Sequence, residues 1–153
     1  MNVAVRPGCD ADRPFVADLA ERTVMNSVSA IRHPQELMVR IQLERLLDIV
    51  ENASHVTLVA ECDGKPAGFI LLLDDLPDEV TATPQAFVAY MAVEPSLHGR
   101  GVGRQLLVAA ENEAKRRGLP YICLMVTEEN AAARRLYERG GYVTERRLLC
   151  KTL

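Results

Sequence analysis

The chain has 153 residues, of which 48% are hydrophobic and 25% charged, values ordinary for a globular protein that buries a sizeable core in one domain. The net charge of −3 excludes a strongly basic chain, so composition favours neither nucleic acid nor a membrane surface as a partner. Four scattered cysteines without a CxxC pair argue against a zinc site and a disulfide framework, and no apolar N-terminal run predicts a signal peptide. These features together predict a cytoplasmic protein without a bound metal.

The first fifty residues predict a strand followed by two helices. Residues 2–6 alternate weakly between apolar and polar side chains, which is typical of an edge strand. Asp10 or Asp12 can cap the helix that follows, and a second helix is predicted over residues 34–51. On the second helix, the apolar residues recur at helical spacing along one stripe: Val39, Leu43, Leu46, Leu47 and Val50.

A β-hairpin and a further strand are predicted next. Residues 55–61 and 66–73 are rich in strand-forming side chains, and they flank Asp63-Gly64, a dipeptide that favours a type I′ turn. A polar, acidic loop over residues 74–84 then leads to a strand over residues 85–93.

The last third of the chain predicts a helix, a strand, a helix and a strand. The first helix covers residues 102–117 and ends at Gly118, and a buried strand follows over residues 120–126. Asn130 can cap the short second helix, and residues 142–153 form the predicted last strand. Hairpins followed by a strand-helix-strand unit indicate a mixed sheet with helices on both faces.

Three alternating glycines, Gly99, Gly101 and Gly103, lie between the predicted strand over residues 85–93 and the helix over residues 102–117. Because glycine has no Cβ, the backbone can curl until successive N–H groups converge on one point. That point is a helix N-terminus, where unpaired amides and the helix dipole favour an anion. The loop therefore predicts a cradle for phosphate.

Two familiar phosphate loops fit this segment poorly. The P-loop requires Gly-Lys-Ser/Thr, whereas Gly103 is followed by Arg104 and Gln105. The dinucleotide fingerprint places a further glycine where Leu106 stands, although Glu128 could supply its ribose-binding acid. A nucleotide-binding oxidoreductase module therefore stays open as one alternative.

Two motifs at matching separation resemble the GNAT superfamily, the acyl-CoA N-acyltransferases. Residues 98–103, His-Gly-Arg-Gly-Val-Gly, resemble its Gln/Arg-x-x-Gly-x-Gly/Ala pyrophosphate motif, with His98 in place of the usual first residue. Residues 91–95 resemble its cofactor-binding strand. Residues 130–137 and Gly141-Tyr142 resemble its Asn-x-x-Ala-x-x-Leu-Tyr…Gly-Phe/Tyr segment, and the predicted element order agrees over nearly the whole chain.

The resemblance implies a GNAT-type α+β fold as a single domain over residues 1–153. The sheet would be mixed, mostly antiparallel and twisted, with helices on both faces and a central splay between the fourth and fifth strands. The implied activity is transfer of an acetyl group from acetyl-CoA to a primary amine by direct attack in a ternary complex. The acceptor, a small molecule or a protein amine, is left open, and a homodimer is the commonest assembly for such chains. A coenzyme-A-binding sensor without catalysis is the second alternative.

The resemblance also assigns the residues that would contact the coenzyme. Backbone amides of residues 99–104 would hold the pyrophosphate, while residues 91–93 would pair with the pantetheine arm as a neighbouring strand does. Arg100 and Arg104 could add charge-assisted bonds to phosphate, and otherwise are solvated side chains at a helix start. Asn130 is equally a coenzyme contact or an ordinary helix cap. The predicted coenzyme set is Met91, Ala92, Val93, His98, Gly99, Arg100, Gly101, Val102, Gly103, Arg104 and Asn130.

Two residues are candidates for catalysis. The resemblance assigns Tyr137 as the general acid that protonates the leaving thiolate, whereas without it Tyr137 would be a packed aromatic. Some relatives carry a base glutamate about six residues before the valine of the cofactor strand, and Phe87 occupies that position in this chain. Glu79 in the acidic loop is then the candidate base, although an ordinary solvated loop explains the same charges.

Overall fold

The computed structural model describes residues 1–153 as a five-stranded sheet with helices on both faces. The strands β1 to β5 lie side by side in chain order, the first four antiparallel and β5 parallel to β4. Their bounds are Val3–Pro7, His55–Cys62, Lys65–Leu73, Ala86–Val93 and Ile122–Leu124. The helices α1 to α4 cover Arg13–Thr23, Glu36–Asn52, Val102–Arg116 and Ala131–Arg139, and none is both long and apolar enough to cross a membrane.

The hairpin between β2 and β3 forms at the predicted dipeptide. Asp63 and Gly64 have φ values of 51° and 78°, and a positive φ at both central residues is the mark of a type I′ turn. The turn sets the register of the hairpin, which places Cys62 opposite Lys65.

Side chains alternate along the central strands between two hydrophobic clusters. Val59, Phe69 and Leu71 belong to a cluster that includes buried residues of α1 and α2. Leu58 and Ile70 belong to the other cluster, which is completed by α3. The period of two that alternates Cβ atoms across a strand therefore explains why helices cover both faces, and the predicted fold class is confirmed.

The sheet parts between β4 and β5. The two strands pair only through Ala86, Phe87 and Val88, which lie opposite Ile122, Cys123 and Leu124. On its other edge β4 pairs with β3 along its length, ending with Val93 opposite Gly68. Residues 90–93 thus have a strand partner on one side only, and the predicted splay is confirmed.

Three local predictions were wrong. The strand predicted over residues 142–153 does not form, since no residue from 143 to 153 belongs to a strand or makes a backbone hydrogen bond. The strand predicted over residues 120–126 is shorter and half-buried, because β4 diverges from it after Leu124. Asp12 does stand at the start of α1, but its carboxylate accepts hydrogen bonds from Arg6 and from the Cys9 N–H instead of capping that helix.

Candidate active site

A β-bulge in β4 lies where the sheet begins to part. Leu72 is opposite Val88 and Leu71 is opposite Tyr90, so Ala89 is the extra residue on β4. A bulge bends its strand and increases the local twist. Ala89 directly follows Val88, the last residue of β4 that pairs with β5. The bend at the bulge therefore accounts for the direction in which β4 leaves β5.

Beyond the bulge, Met91 and Val93 direct their backbone groups towards the gap. The Glu94 N–H donates to the Ala67 carbonyl at 2.8 Å, so alternate residues from Glu94 backwards face β3. The carbonyl of Ala92 accordingly lies against Gly68 of β3, within 2.8 Å of where a Cβ would stand. Of the three predicted pantetheine contacts on this strand, Met91 has both backbone groups free and Ala92 faces β3. Val93 has a free N–H, but its carbonyl accepts from His98 Nε2.

Six consecutive N–H groups are unpaired at the start of α3. The amides of residues 99–104 donate to no carbonyl and to no side chain of the chain. Gly99 and Gly101 have φ values of 76° and 85°, in the left-handed region that favours glycine. A curled backbone at a helix N-terminus with unused donors has the properties of an anion site, so these residues fit a diphosphate.

Gly103 lets three elements come close together beside this loop. A Cβ at Gly103 would stand 3.2 Å from Leu136 Cδ2 of α4 and 3.7 Å from Met91 Cε and Val93 Cγ2 of β4. The free edge of β4, the start of α3 and one face of α4 therefore meet at one place. The two sequence motifs that lie more than 25 residues apart converge there.

The four side chains predicted to contact the coenzyme near this loop differ in the bonds that they form within the chain. Arg100 and Arg104 are exposed and form no ion pair within the chain, so both guanidinium groups are available to a ligand. His98 donates from Nε2 to the Val93 carbonyl at 3.0 Å, which holds its ring against β4. The phosphate contact of His98 stays a prediction. Asn130 caps α4 by accepting from the Ala133 N–H at 3.2 Å, and its coenzyme contact also stays a prediction.

Tyr137 lies on the face of α4 that packs against the α3 cluster. Burial raises the pKa of its phenol above the ordinary value, and no hydrogen bond within the chain opposes that shift. Its ring meets the edge of Tyr142 at 5.8 Å between centroids. Tyr142 differs because its hydroxyl donates to Glu111 at 3.2 Å. Tyr137 is therefore protonated at neutral pH with a hydroxyl free to donate.

The acidic loop over residues 74–84 lies at the start of β4, the opposite end of that strand from Val93. Glu79 in this loop is 84% exposed and pairs with Arg146 at 3.3 Å. Asp78 has its pKa lowered to about 2, chiefly by hydrogen bonds from Thr81. The predicted proton transfer by Glu79 stays a prediction.

Sequence patterns did not reveal the contacts that hold α1 against the gap. Tyr90 brings its hydroxyl to 3.0 Å from Thr23 Oγ1, and Arg22 donates to both carboxylate oxygens of Glu94. These pairs are 67 and 72 residues apart along the chain, and neither belongs to a motif. They fix the end of α1 beside the free part of β4.

The segment between α1 and α2 forms the facing wall. Thr127 donates to the Ser27 carbonyl at 2.6 Å, while Glu129 accepts from Ser29 Oγ and from the Ala30 N–H. These bonds join the segment to the loop that follows β5. The gap is thus bounded by β4 and α1 on one side and by the β5 to α4 loop on the other.

The five-stranded sheet, which parts beside a helix start with unpaired amides, agrees with the match to a family model. The acetyltransferase (GNAT) family profile matches residues 23–142, which is more than half of the chain. The chain belongs to this family. The match does not favour the oxidoreductase alternative.

Individual relatives are similar over different lengths. A mycothiol acetyltransferase of Beutenbergia cavernae is 38% identical over 141 residues, which cover 89% of this chain and 46% of that protein. A protein of Pyrococcus furiosus assigned as an acetyl transferase has the same fold, with a TM-score of 0.83 and 23% identity over 99% of this chain and 100% of that one. AAC(6')-Iy, solved with a bisubstrate analog, superposes with a TM-score of 0.70 and 19% identity over 100% and 99% of the two chains. The chain spans between 18% and 46% of the length of the mycothiol acetyltransferases that it matches.

Proposed function

We propose that this protein transfers an acetyl group from acetyl-CoA to an amine. The observation that carries the proposal is the row of six unpaired N–H groups at residues 99–104, placed beside the free backbone groups of Met91 and the free N–H of Val93. The unpaired amides suit a diphosphate, and the free edge of β4 suits an extended chain with amide groups. Coenzyme A has both parts, joined in that order.

Different residues of this chain would bind different parts of the coenzyme. Amides 99–104 would hold the pyrophosphate, and Arg100 with Arg104 would add positive charge at the same helix start. Met91 and Val93 would pair with the pantetheine arm as a further strand. The coenzyme supplies an acetyl thioester when bound. An N–H of the free β4 edge would donate to the thioester carbonyl and favour attack on its carbon.

Tyr137 would act as the general acid. Its buried phenol has a raised pKa and keeps its proton at neutral pH, so the hydroxyl can donate to a thiolate that leaves in a low-dielectric gap. Glu79 would assist in removing a proton from the amine only through solvent, because its carboxylate is exposed in the loop before β4. The acceptor amine would enter between α1 and the β5 to α4 loop, since α3 and α4 border the other face of the gap.

The test combines coenzyme binding with turnover. Thermal unfolding is measured with acetyl-CoA, coenzyme A and NAD, and then release of free thiol is measured with a panel of aminoglycosides, polyamines, amino sugars and peptide N-termini. We expect both forms of the coenzyme to raise the unfolding temperature, NAD to leave it unchanged, and at least one amine to release thiol. Stabilisation by NAD alone would contradict the proposal. Stabilisation by coenzyme A without thiol release for any amine would favour a binding protein without catalysis.

A further inference from the structure

The sheet face on which an acceptor amine would arrive is apolar at the point where β4 and β5 part. Phe87 lies opposite Leu73 of β3, whose side chain packs against the cluster that contains buried residues of α1 and α2. Cys123 lies opposite Phe87 on β5, and the residues on either side of it pack against the other cluster. Because Cβ atoms alternate across a strand, Phe87 and Cys123 share the face covered by α1 and α2. With Ala89, which packs on that same cluster, they form the acceptor floor, which carries no charged side chain.

Apolar side chains also border this floor. The segment between α1 and α2 is joined to the loop after β5 by the hydrogen bond from Thr127 to the Ser27 carbonyl. Exposed apolar side chains at the mouth of a gap favour a ligand with an apolar body. Both joined segments expose large side chains of this kind: Met25, Ile31, Met125 and Val126.

Carboxylates at both ends of the floor already have partners within the chain. Glu94 accepts two hydrogen bonds from Arg22 of α1. Glu129 accepts from the segment between α1 and α2, and Glu128 pairs with an arginine of α4. At the other end of the floor, Arg146 pairs with three carboxylates: Asp78, Glu79 and Glu145.

The titratable groups on the floor and beside it are protonated at neutral pH. Burial raises the pKa of the Cys123 thiol on β5 and the pKa of the Tyr90 phenol on β4. Neither group can therefore take a proton from an ammonium ion, and the apolar floor disfavours the charged form of a bound amine. An amine that reacts here must first lose its proton to water.

The requirement for a neutral nitrogen separates two kinds of amine. An α-amine that adjoins a carbonyl group has a pKa of about 8, so about one molecule in ten is neutral at pH 7. An alkyl amine has a pKa of about 10.4, so only about one molecule in 2,500 is neutral. A floor without a base therefore favours the weakly basic amine by about 200-fold.

We propose that the acceptor is a weakly basic amine attached to an apolar group, and that Phe87 is the residue that selects it. This inference rests on the proposed acetyl transfer and names its substrate class. The ammonium proton passes to water, and the neutral nitrogen forms the C–N bond as the C–S bond breaks. The proton that the nitrogen then loses balances the proton that the sulfur gains.

Two amines with the same aromatic ring test the proposal by their pH profiles. At pH 7 we expect kcat/KM, measured by thiol release, to be about 100-fold higher for phenylalaninamide than for the more basic 2-phenylethylamine. Each profile should rise to a plateau with its midpoint at the pKa of that amine. A midpoint common to both amines, or a fall just above the pKa of the amine, would assign the proton transfer to a group of the protein and overturn the proposal.

Binding to the complex with coenzyme A gives a readout that needs no turnover. In calorimetry at pH 7, phenylalaninamide should bind at least about tenfold more tightly than 2-phenylethylamine or the polycation spermine. Tighter binding of spermine would overturn the proposal even if acetyl transfer occurs. Failure of every amine to release thiol would contradict acetyl transfer itself, and the order of binding would still test the acceptor floor.

Variants at Phe87 test whether the floor makes the selection. Phe87→Glu places a carboxylate on the floor, and Phe87→Gln is the matched control of the same size without the charge. At pH 7 the preference for phenylalaninamide over 2-phenylethylamine should be about tenfold smaller in Phe87→Glu than in Phe87→Gln. Equal preferences in the two variants would show that Phe87 does not select the acceptor.

Discussion

The two edges of β4 differ in how much of their backbone is paired, although they belong to the same eight residues. Towards β3 the strand is paired from Phe87 to Val93, and its side chains fill both hydrophobic clusters. Towards β5 it is paired only from Ala86 to Val88, and the next residues face a gap. The paired edge stabilises the fold, and the unpaired edge keeps hydrogen-bonding capacity for a ligand.

Two loops show the same contrast between paired and unpaired backbone N–H groups. At Gly8 the turn after β1 is tied to β2, because its N–H donates to the Thr57 carbonyl at 2.8 Å. The loop before α3 leaves the N–H groups of residues 99–104 unused. Unpaired amides are costly when buried, so they persist where water or a ligand reaches them. Regions with unused backbone donors are therefore the places to expect binding, and substitutions there should affect function more than stability.

The largest effect is expected at Tyr137. Tyr137→Phe removes the proton donor and keeps the ring, so kcat should fall about 100-fold while the KM for acetyl-CoA stays within about twofold. Tyr142→Phe is the matched control, since its ring touches Tyr137 but its hydroxyl is bonded to Glu111. Steady-state kinetics on both variants, with an acceptor from the amine panel, distinguish a proton donor from a packing residue. Equal loss of turnover and coenzyme affinity in Tyr137→Phe would identify a packing residue.

Asp12 should show the opposite behaviour, with an effect on stability alone. Its buried carboxylate accepts from Arg6 at 2.8 and 2.9 Å and from the Cys9 N–H at 2.8 Å. Asp12→Ala should lower the free energy of unfolding in urea by about 2–4 kcal/mol, because the Cys9 N–H loses its partner and Arg6 keeps only Glu61 as a carboxylate partner. Asp18→Ala, which breaks an exposed pair with Arg22, should cost under about 1 kcal/mol. Coenzyme affinity should be unchanged in the Asp12 variant, and a loss there would break the division between the two regions.

The stabilisation that Asp12 provides should decrease as the pH falls into the acid range. The hydrogen bonds from Arg6 hold the pKa of Asp12 well below its ordinary value of 3.8. A lowered pKa in the folded state means that the stabilisation is present in full above pH 3.8 and is lost as the pH falls below it. The difference in unfolding free energy between the unmodified chain and Asp12→Ala should therefore narrow in acid. A difference that stays constant from neutral pH to strong acid would contradict the pairing.

Gly101 and Gly64 allow a matched comparison of two strained positions. Their φ values are 85° and 78°, and a Cβ at either would meet no atom within 4 Å. Alanine at either position should cost about 1 kcal/mol of stability, since both demand a left-handed backbone. Only Gly101→Ala should also weaken acetyl-CoA binding, by about tenfold, because relief of strain would misdirect the free amides. Calorimetry that finds equal affinities in the two variants would disprove a role for the loop.

The smallest effects are expected at Arg100 and Arg104. Each is exposed and unpaired, so Arg100→Gln or Arg104→Gln should weaken coenzyme binding about threefold at low salt and less at high salt. Arg45→Gln, an exposed arginine of α2, should leave the affinity unchanged. Titrations at two salt concentrations measure the difference. An unchanged affinity in both loop variants would assign those arginines to solvent.

Local sequence signals predicted the parts of the fold that depend on local chemistry. The turn at Asp63-Gly64, the helix ended by Gly118 and the cap at Asn130 each follow from one or two residues. The bulge at Ala89 and the anchor between Tyr90 and Thr23 could not be predicted, because they arise from packing across distant elements. The strand predicted over residues 142–153 does not form, because a strand requires backbone hydrogen bonds to a neighbour and residues 143–153 make none.

Amide hydrogen exchange followed by NMR, with and without acetyl-CoA, tests the central claim most directly. In the free protein the amides of residues 99–104 and of Met91 and Val93 should exchange rapidly, since none of the loop amides has a partner and the strand edge is open. The coenzyme should slow exchange at these amides and leave the already paired hairpin of β2 and β3 unchanged. Saturating coenzyme that leaves residues 99–104 as fast as before would show that the unpaired backbone is not where it binds.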